Sequence, residues 1–335
     1  MIICVILSNH MNKINTYSVS LVIPVYNEED SLQILFEKII NSMNLLKDCS
    51  GYEIIFVDDG SSDKSWNIQK ELVSKHPDKV RSIRLKKNFG KATALNVGFK
   101  NTKNDIIITL DSDLQDDPNE IPKFIAEINK GYDFVSGWKK NRKDPLSKTL
   151  PSKIFNWVTR FISGVKLNDF NCGFKAYRKK IFENLDLYGE LHRYIPIFAY
   201  NLGYSISEVE VNHHKRQFGY SKYGLSRFTK GFIDLITVVA TTKYLNRPAH
   251  LFGGIGFFLG VFGFAILSYL FFDMIINYSD IPPPTLVRPL FFVGILFVLL
   301  SVQFFSLGII AELLVRSNLK NDFKTFIAED TDIKY

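Results

Sequence analysis

The chain has 335 residues, 46% of them hydrophobic and 14% aromatic, enough for one sizeable domain with an appendage. Its formal net charge of +7 suits a protein resting on an anionic membrane surface. The three cysteines, Cys4, Cys49 and Cys172, are an odd set without Cys-x-x-Cys spacing, so neither a disulfide framework nor a zinc site is indicated.

The apolar run Met1 to Leu7 is short and lacks a basic start, so no signal peptide is expected, and Met11 is an alternative first residue. Beyond it, strand-like segments recur at βα spacing: Val19 to Val25, Tyr52 to Val57, Val80 to Leu85 and Asp105 to Leu110. Helical patterns fall between them, at Ser31 to Met43 and Lys64 to His76. The alternation predicts an α/β fold with a mostly parallel sheet. The isoleucine-rich run before Asp111 reads as a strand buried on both faces, and open α/β sheets bind ligands beyond the carboxyl ends of their strands.

Three of these ends carry Tyr26-Asn-Glu-Glu29, Asp58-Asp-Gly-Ser61 and Asp111-Ser-Asp113, all on one rim. Asp30, Ser31, Ser61 and Asp63 are equally explained as helix caps; Asp58 and Asp113 are not. Two carboxylates as close as Asp111 and Asp113 repel each other unless a cation is expected. The pair therefore reads as a divalent-metal clamp able to bridge a nucleotide's phosphates. The first strand is followed by no Gly-x-Gly-x-x-Gly, and the chain has no Walker lysine loop, which disfavours dinucleotide dehydrogenases and P-loop ATPases.

Farther along, the lysines of the run Lys139 to Lys143 read as a solvated basic face. Leu225 to Leu245 repeats apolar residues at helical spacing, as an interfacial helix or one packed on the soluble domain. Ala249 to Phe272 and Pro289 to Ala311 contain no Asp, Glu, Lys or Arg, and each is long enough to cross a bilayer core of roughly 30 Å. Pro282-Pro-Pro284 between them cannot continue a helix, so the pair reads as a transmembrane hairpin. Lys230, Lys243 and Arg247 before the first span, with Arg316, Lys320 and Lys324 after the second, put the soluble domain and both termini in the cytoplasm. Gly256-x-x-x-Gly260 permits close helix contact and leaves a homo-oligomer open. The expected organisation is a soluble domain at 17–223, a juxtamembrane amphipathic helix at 224–248, a hairpin at 249–316 with spans at about 249–272 and 289–311, and a tail at 317–335.

Six segments, in order, carry a resemblance. They are Val22-Ile-Pro-Val-Tyr-Asn-Glu28, Val57-Asp-Asp-Gly-Ser61, Asn88-Phe-Gly-Lys91, Asp111-Ser-Asp-Leu-Gln115, Cys172-Gly-Phe-Lys175 and His213-x-x-Arg216-x-x-Gly219-x-Ser221-Lys-Tyr223. Together they resemble family 2 glycosyltransferases of the GT-A fold. Within these they resemble the polyprenyl-phosphate hexosyltransferases, including bactoprenol glucosyltransferases and the dolichol-phosphate mannose synthase group.

The resemblance implies that Pro24, Tyr26, Glu28 and Asp58 hold the nucleobase and ribose, with Lys91 beside the donor. It implies that Asp111 and Asp113, with Gln115, hold Mg2+ or Mn2+ against the diphosphate. The implied acceptor is a polyprenyl phosphate, already an anion near neutral pH, so a basic pocket is needed rather than a strong general base. Arg216, Ser221, Lys222, Tyr223 and Arg142 are the candidates for it. Asp113 and Arg216 are then the expected catalytic residues, with Asp169 the remaining acidic candidate. Some relatives carry Asp where this chain has Gly173, so Asp169 has either a catalytic or a positioning role. His213 and His214 read as structural.

The implied reaction is inverting transfer of a hexose from a nucleotide sugar to undecaprenyl or a related polyprenyl phosphate in the cell membrane. UDP-glucose comes first, followed by GDP-mannose and UDP-N-acetylhexosamine, and no nucleic acid is expected as partner. A processive polysaccharide synthase lacks support because no Gln-x-x-Arg-Trp is present. A catalytically silent scaffold is opposed by the intact Asp111, Asp113 and Arg216.

Overall fold

The computed structural model describes residues 16–140, 146–184, 191–218, 238, 248–276 and 289–318. They fall into two compact units, one up to Val238 and one beyond it. In the first, β1 (Tyr17–Val25), β2 (Cys49–Asp58), β3 (Val80–Arg84) and β4 (Ile106–Thr109) form the parallel half of a seven-stranded sheet. Helices α1 (Leu32–Asn44), α2 (Ser65–Lys75) and α3 (Lys91–Lys100) connect them. There follow α4 (Ile121–Asn129), β5 (Phe134–Trp138), α5 (Leu146–Ser163), β6 (Lys175–Arg178), α6 (Ile195–Asn201) and β7 (Ile206–Glu210). The strand order is β3-β2-β1-β4-β6-β5-β7, with β6 antiparallel to β4 and β5, and β7 parallel to β5.

These elements form where the residues direct them. All four residues of β4 are buried, as a strand covered on both faces requires. Helix α1 turns Leu32, Leu35, Phe36, Ile39 and Met43 toward the core at three- and four-residue spacing. Burial of each such side chain contributes about 1.5–3 kcal/mol. The antiparallel β6 is a four-residue strand, too short for alternation to reveal it.

Topology then positions the site. From β1 the chain builds outward to β2 and β3, then returns to add β4 on the other flank of β1. Loops leaving β1 and β4 therefore diverge, opening a crevice at their carboxyl ends.

The described residues of the second unit form two helices, α7 (Pro248–Ile276) and α8 (Pro289–Asn318), of 29 and 30 residues. Both exceed the expected spans. They reach mean hydropathies of 2.2 and 2.5 and are long and apolar enough to cross a membrane. A Cβ on Gly256 would lie 3.0 Å from the Ser301 carbonyl oxygen, one on Gly260 2.8 Å from Ser301 Oγ, and one on Gly263 2.9 Å from Val298 N. Ser301 Oγ also donates to the Gly256 carbonyl at 2.6 Å. The small-residue stripe is thus engaged within the chain, where it lets two backbones approach. The Pro282–Pro284 turn, the basic residues Lys230, Lys243, Arg247, Lys320 and Lys324, and the stripe at 225–245 apart from Val238 lie outside the described residues.

Candidate active site

The loops after β1 and β2 are stapled together. Asn27 has a φ of 51°, and its Oδ1 accepts the Ser62 amide at 2.8 Å. The Glu28 amide donates to Ser65 Oγ at 2.8 Å, and the Lys64 amide to Glu29 Oε2 at 2.9 Å. Lys64, not Asp63 or Ser61, is the N-cap of α2, and Asp63 just ahead of it accepts the Ser65 amide of the first turn at 3.0 Å. Ser31 acts as a bridge rather than a cap. Its Oγ lies 2.6 Å from the Ser112 carbonyl and 3.0 Å from that of Glu28, tying the β1 loop to the β4 loop.

After β4 the chain passes through Asp111, Ser112 and Asp113 to Leu114, whose φ of 58° is costly for a bulky residue. The Leu114 side chain is 1% exposed and belongs to the main core, which holds the turn in place. The Gln115 amide then donates to Asp113 Oδ1 at 3.2 Å. An isolated antiparallel bridge joins Asp116 to the buried His213, and the His214 amide donates to the Gln115 carbonyl at 2.9 Å. This pairing fastens the segment beyond β7 to the Asp113 loop and delivers Arg216. Its Nη2 lies 2.6 Å from Asp113 Oδ2, and its Nη1 3.4 Å from Glu28 Oε1. Lys91, the first residue of α3, pairs with Asp111.

Pro24, Tyr26, Glu28, Lys91, Asp111, Asp113 and Arg216 line one cavity of about 320 Å³. Val25, Asp59, Asn88, Gly90 and Ser112 complete it. A groove of about 440 Å³ at the other ends of β2 and β3 mixes Lys79 and Arg81 with Glu53 and Asp78 and receives none of the rim residues.

Asp58 was expected at the base and ribose, and no role was expected for Asp59. Asp58 is fully buried and does not line the cavity. Its Oδ1 accepts the Ser61 amide at 3.0 Å, its Oδ2 accepts Gln69 Nε2 at 3.1 Å, and Arg84 Nε stands 3.6 Å away. Asp59 reaches the cavity instead, accepting the Phe89 and Gly90 amides at 2.8 and 3.0 Å just before α3. Burial pushes the Asp59 carboxyl up from its ordinary value, with those two amides pulling it back. The strand register decides between them: Asp58 closes β2 opposite Val25, so Asp59 is the first residue clear of the sheet.

Gln115 is likewise outside the lining. So is Asp169, which is buried, with Oδ1 accepting the Asn171 amide at 3.0 Å. Arg142, Ser221, Lys222 and Tyr223 lie outside the described residues. A Cβ at Gly173 would sit 2.6 Å from Asp111 Oδ1, so an aspartate at this position has no room while Asp111 keeps its place.

Lys139 departs from the solvated face predicted for it. Its side chain is buried and pairs with the fully buried Asp116 at 2.6 Å, whereas Lys140 is exposed and pairs with Glu210. Burial works to lower the Lys139 pKa, but Asp116, Cys172 and Asp111 together hold its ammonium above the ordinary value. Lys175 is buried with weaker support, its Nζ donating to the Phe170 carbonyl at 3.2 Å, and burial lowers its pKa to about 8.

The lining sets four carboxylates, Glu28, Asp59, Asp111 and Asp113, against two cations, Lys91 and Arg216. The formal excess is two negative charges, which one divalent cation matches. Among the described residues no three His, Cys, Asp or Glu side chains form a ready-made metal cage. Two carboxylates completed by phosphate oxygens and water are the usual surroundings of Mg2+, so the residues present fit such an ion.

Residues 20–186 match the family model described as Glycosyl transferase family 2. The chain is 37% identical over 313 residues to dodecaprenyl-phosphate galacturonate synthase of Rhizobium johnstonii, a match spanning 92% of this chain and 91% of the relative. It is also 37% identical over 300 residues to undecaprenyl-phosphate 4-deoxy-4-formamido-L-arabinose transferase of Pseudomonas fluorescens, spanning 89% and 85%. Among solved structures, it resembles glucosyl-3-phosphoglycerate synthase from Mycobacterium tuberculosis in complex with Mn2+, uridine diphosphate and phosphoglyceric acid. The TM-score is 0.50 over 68% of this chain and 78% of that one, at 20% identity, a likeness that establishes the GT-A fold.

Proposed function

The chain belongs to glycosyl transferase family 2, and from this premise we propose that it is an inverting glycosyltransferase moving a sugar from a nucleotide donor to a polyprenyl phosphate. One observation carries the reading: the cavity at the carboxyl ends of β1, β2 and β4 has a charge excess matched to a divalent ion, with Arg216 at the same place.

Asp111 and Asp113 would hold Mg2+ or Mn2+, which supplies charge neutralisation to the departing diphosphate. Pro24 and Tyr26 offer an apolar wall for the base, and Glu28 and Asp59 offer acceptors for base or ribose hydroxyls. Lys91 brings its own charge and the positive end of α3 toward the diphosphate. Arg216 grips the acceptor phosphate, for which its planar fork is suited, and Arg142, Ser221, Lys222 and Tyr223 remain candidates for the same role by sequence. Such a phosphate is already a nucleophilic anion, so Asp169 positions the loop that it caps rather than removing a proton.

Helices α7 and α8 are proposed to span the cell membrane, with the catalytic unit and both termini on the cytoplasmic side. Glucose as the donor sugar rested on resemblance alone. The relatives' names carry galacturonate and 4-deoxy-4-formamido-L-arabinose, so these two lead the proposal, ahead of glucose, mannose and N-acetylhexosamine. The test incubates membranes containing the chain with each radiolabelled nucleotide-linked sugar and polyprenyl phosphate, then follows label into the organic phase. Chelator-sensitive transfer of one sugar is expected. Label that stays in the aqueous phase across the whole panel overturns the reading.

A further inference from the structure

Gly173 is a glycine for want of space. It is not among the described glycines with a positive φ, so its backbone is one that other residues adopt. A Cβ there would meet Asp111 Oδ1, Oδ2 and Cγ at 2.6, 2.7 and 2.8 Å, its three nearest neighbours. The Asp111 carboxylate therefore occupies the place where a side chain at 173 would stand. The loop ahead of β6 is a wall behind one of the two carboxylates assigned to the metal.

One hydroxyl sets the distance of this wall. Thr109, the last residue of β4, is 3% exposed, and its Oγ1 donates to the Gly173 carbonyl at 2.7 Å. The pairing of β4 with β1 carries on through Leu110, whose amide donates to the Val22 carbonyl at 3.4 Å. Residues two apart on an extended strand share a face. Thr109 and Asp111 accordingly both meet Gly173, one at its carbonyl and the other in the space beside its Cα. Other elements hold this loop by longer bonds, from Lys175 Nζ to the Phe170 carbonyl at 3.2 Å and from the Phe170 amide to Asn156 Oδ1 at 3.3 Å. Neither ends on Gly173 itself.

We propose that Thr109 is a positioning residue for the metal site, latching Gly173 against Asp111 so that the carboxylate keeps its aim at the cavity. This rests on the reading of Asp111 as a ligand of Mg2+ or Mn2+. Valine has a similar shape to threonine but no donor, so Thr109→Val releases Gly173 without opening a void. Asp111 then gains room behind it, and metal binding must first restore its aim. Apparent affinity falls with the fraction of time the carboxylate is correctly placed. Removing a residue that orients a metal ligand typically costs about 10–100-fold in affinity. Serine keeps the hydroxyl, so Thr109→Ser keeps the latch.

The test titrates Mn2+ into the full chain in detergent with uridine or guanosine diphosphate, whichever the parent binds. Free Mn2+ is followed by its paramagnetic resonance signal, with a protein-free blank subtracted. Thr109→Val is expected to bind Mn2+ about 10-fold more weakly at the stoichiometry of the parent, with nucleotide affinity at saturating Mn2+ unchanged. Thr109→Ser is expected to match the parent. Unchanged Mn2+ affinity in Thr109→Val overturns the proposal. Equal weakening in both variants does the same, because the hydroxyl is then not the cause. Fewer binding sites of unchanged affinity mean a role in folding alone, which also overturns it. If the parent binds no Mn2+ with either nucleotide, the metal reading falls and the proposal with it, an outcome distinct from all the others. No sugar transfer is read, so the result does not depend on which sugar is carried.

Discussion

Two acidic loops leave the sheet at the same rim from strands on either side of β1, and they use their carboxylates differently. In the β2 loop, Asp58 is consumed by Ser61, Gln69 and Arg84, and Asp63 by the first turn of α2. In the β4 loop, Asp111 and Asp113 face the cavity and pair with the ends of the long side chains of Lys91 and Arg216, Asp113 also accepting the Gln115 amide. A carboxylate bound to backbone amides and a buried amide side chain is part of the fold. One balanced by long cationic side chains can exchange them for a ligand. Adjacent Asp-rich motifs are therefore told apart by their partners.

The largest effect expected from this contrast is on turnover. Asp113→Asn keeps the shape but loses the charge facing Arg216, and transfer should fall by roughly 10³-fold with unfolding unchanged; radiolabel assays beside melting curves check both. Asp58→Ala should do the reverse. It strands the buried donors of Ser61 and Gln69 and should cost about 3 kcal/mol in unfolding experiments, while the folded fraction still binds nucleotide. Comparable losses of turnover in the two variants would erase the distinction.

Gly173→Ala probes the β4 loop from behind. Its Cβ would meet the Asp111 carboxylate at 2.6–2.8 Å, and the resulting displacement should lower transfer by about 10²-fold with little change in donor affinity, measured by nucleotide titration beside initial rates. The smallest effect concerns pH. Lys175 has a folded pKa of about 8 against an ordinary 10.5. Between these values the unfolded chain binds more protons, so stability rises with pH there, and the penalty is fully present below about 8. Relative to Lys175→Met, the parent should gain about 1 kcal/mol between roughly pH 8 and pH 9 in unfolding titrations.

The parallel half of the sheet and its rim were legible because buried strands write themselves as continuous apolar runs and turns as polar clusters, visible at Ile106–Thr109 and at Asp111 to Asp113. Distinctions of a single residue were not. Asp58 and Asp59 are chemically identical neighbours, and only the end of β2 decides which one reaches the cavity. Lys139 and Lys140 were indistinguishable until the fold buried Asp116 beside one of them. Helix α5 escaped for another reason: its inward face is Ser152, Asn156 and Thr159, so apolar periodicity points away from the domain core. Arg216 was found by motif, but its path to Asp113 depends on the Asp116–His213 bridge, a long-range pairing no local pattern encodes.

The left-handed turn at Leu114 bears on how this loop can change. A glycine there would relieve backbone strain of about 1–3 kcal/mol. It would also delete a leucine from the core, a loss of about 2–5 kcal/mol, so the exchange is unfavourable on balance. Smaller residues forfeit the anchor and β-branched ones worsen the strain. Leu114 is thus a local optimum with no downhill neighbour, and drift in the surrounding core must preserve its socket. The aim of Asp113 is inherited with the hydrophobic interior beneath it.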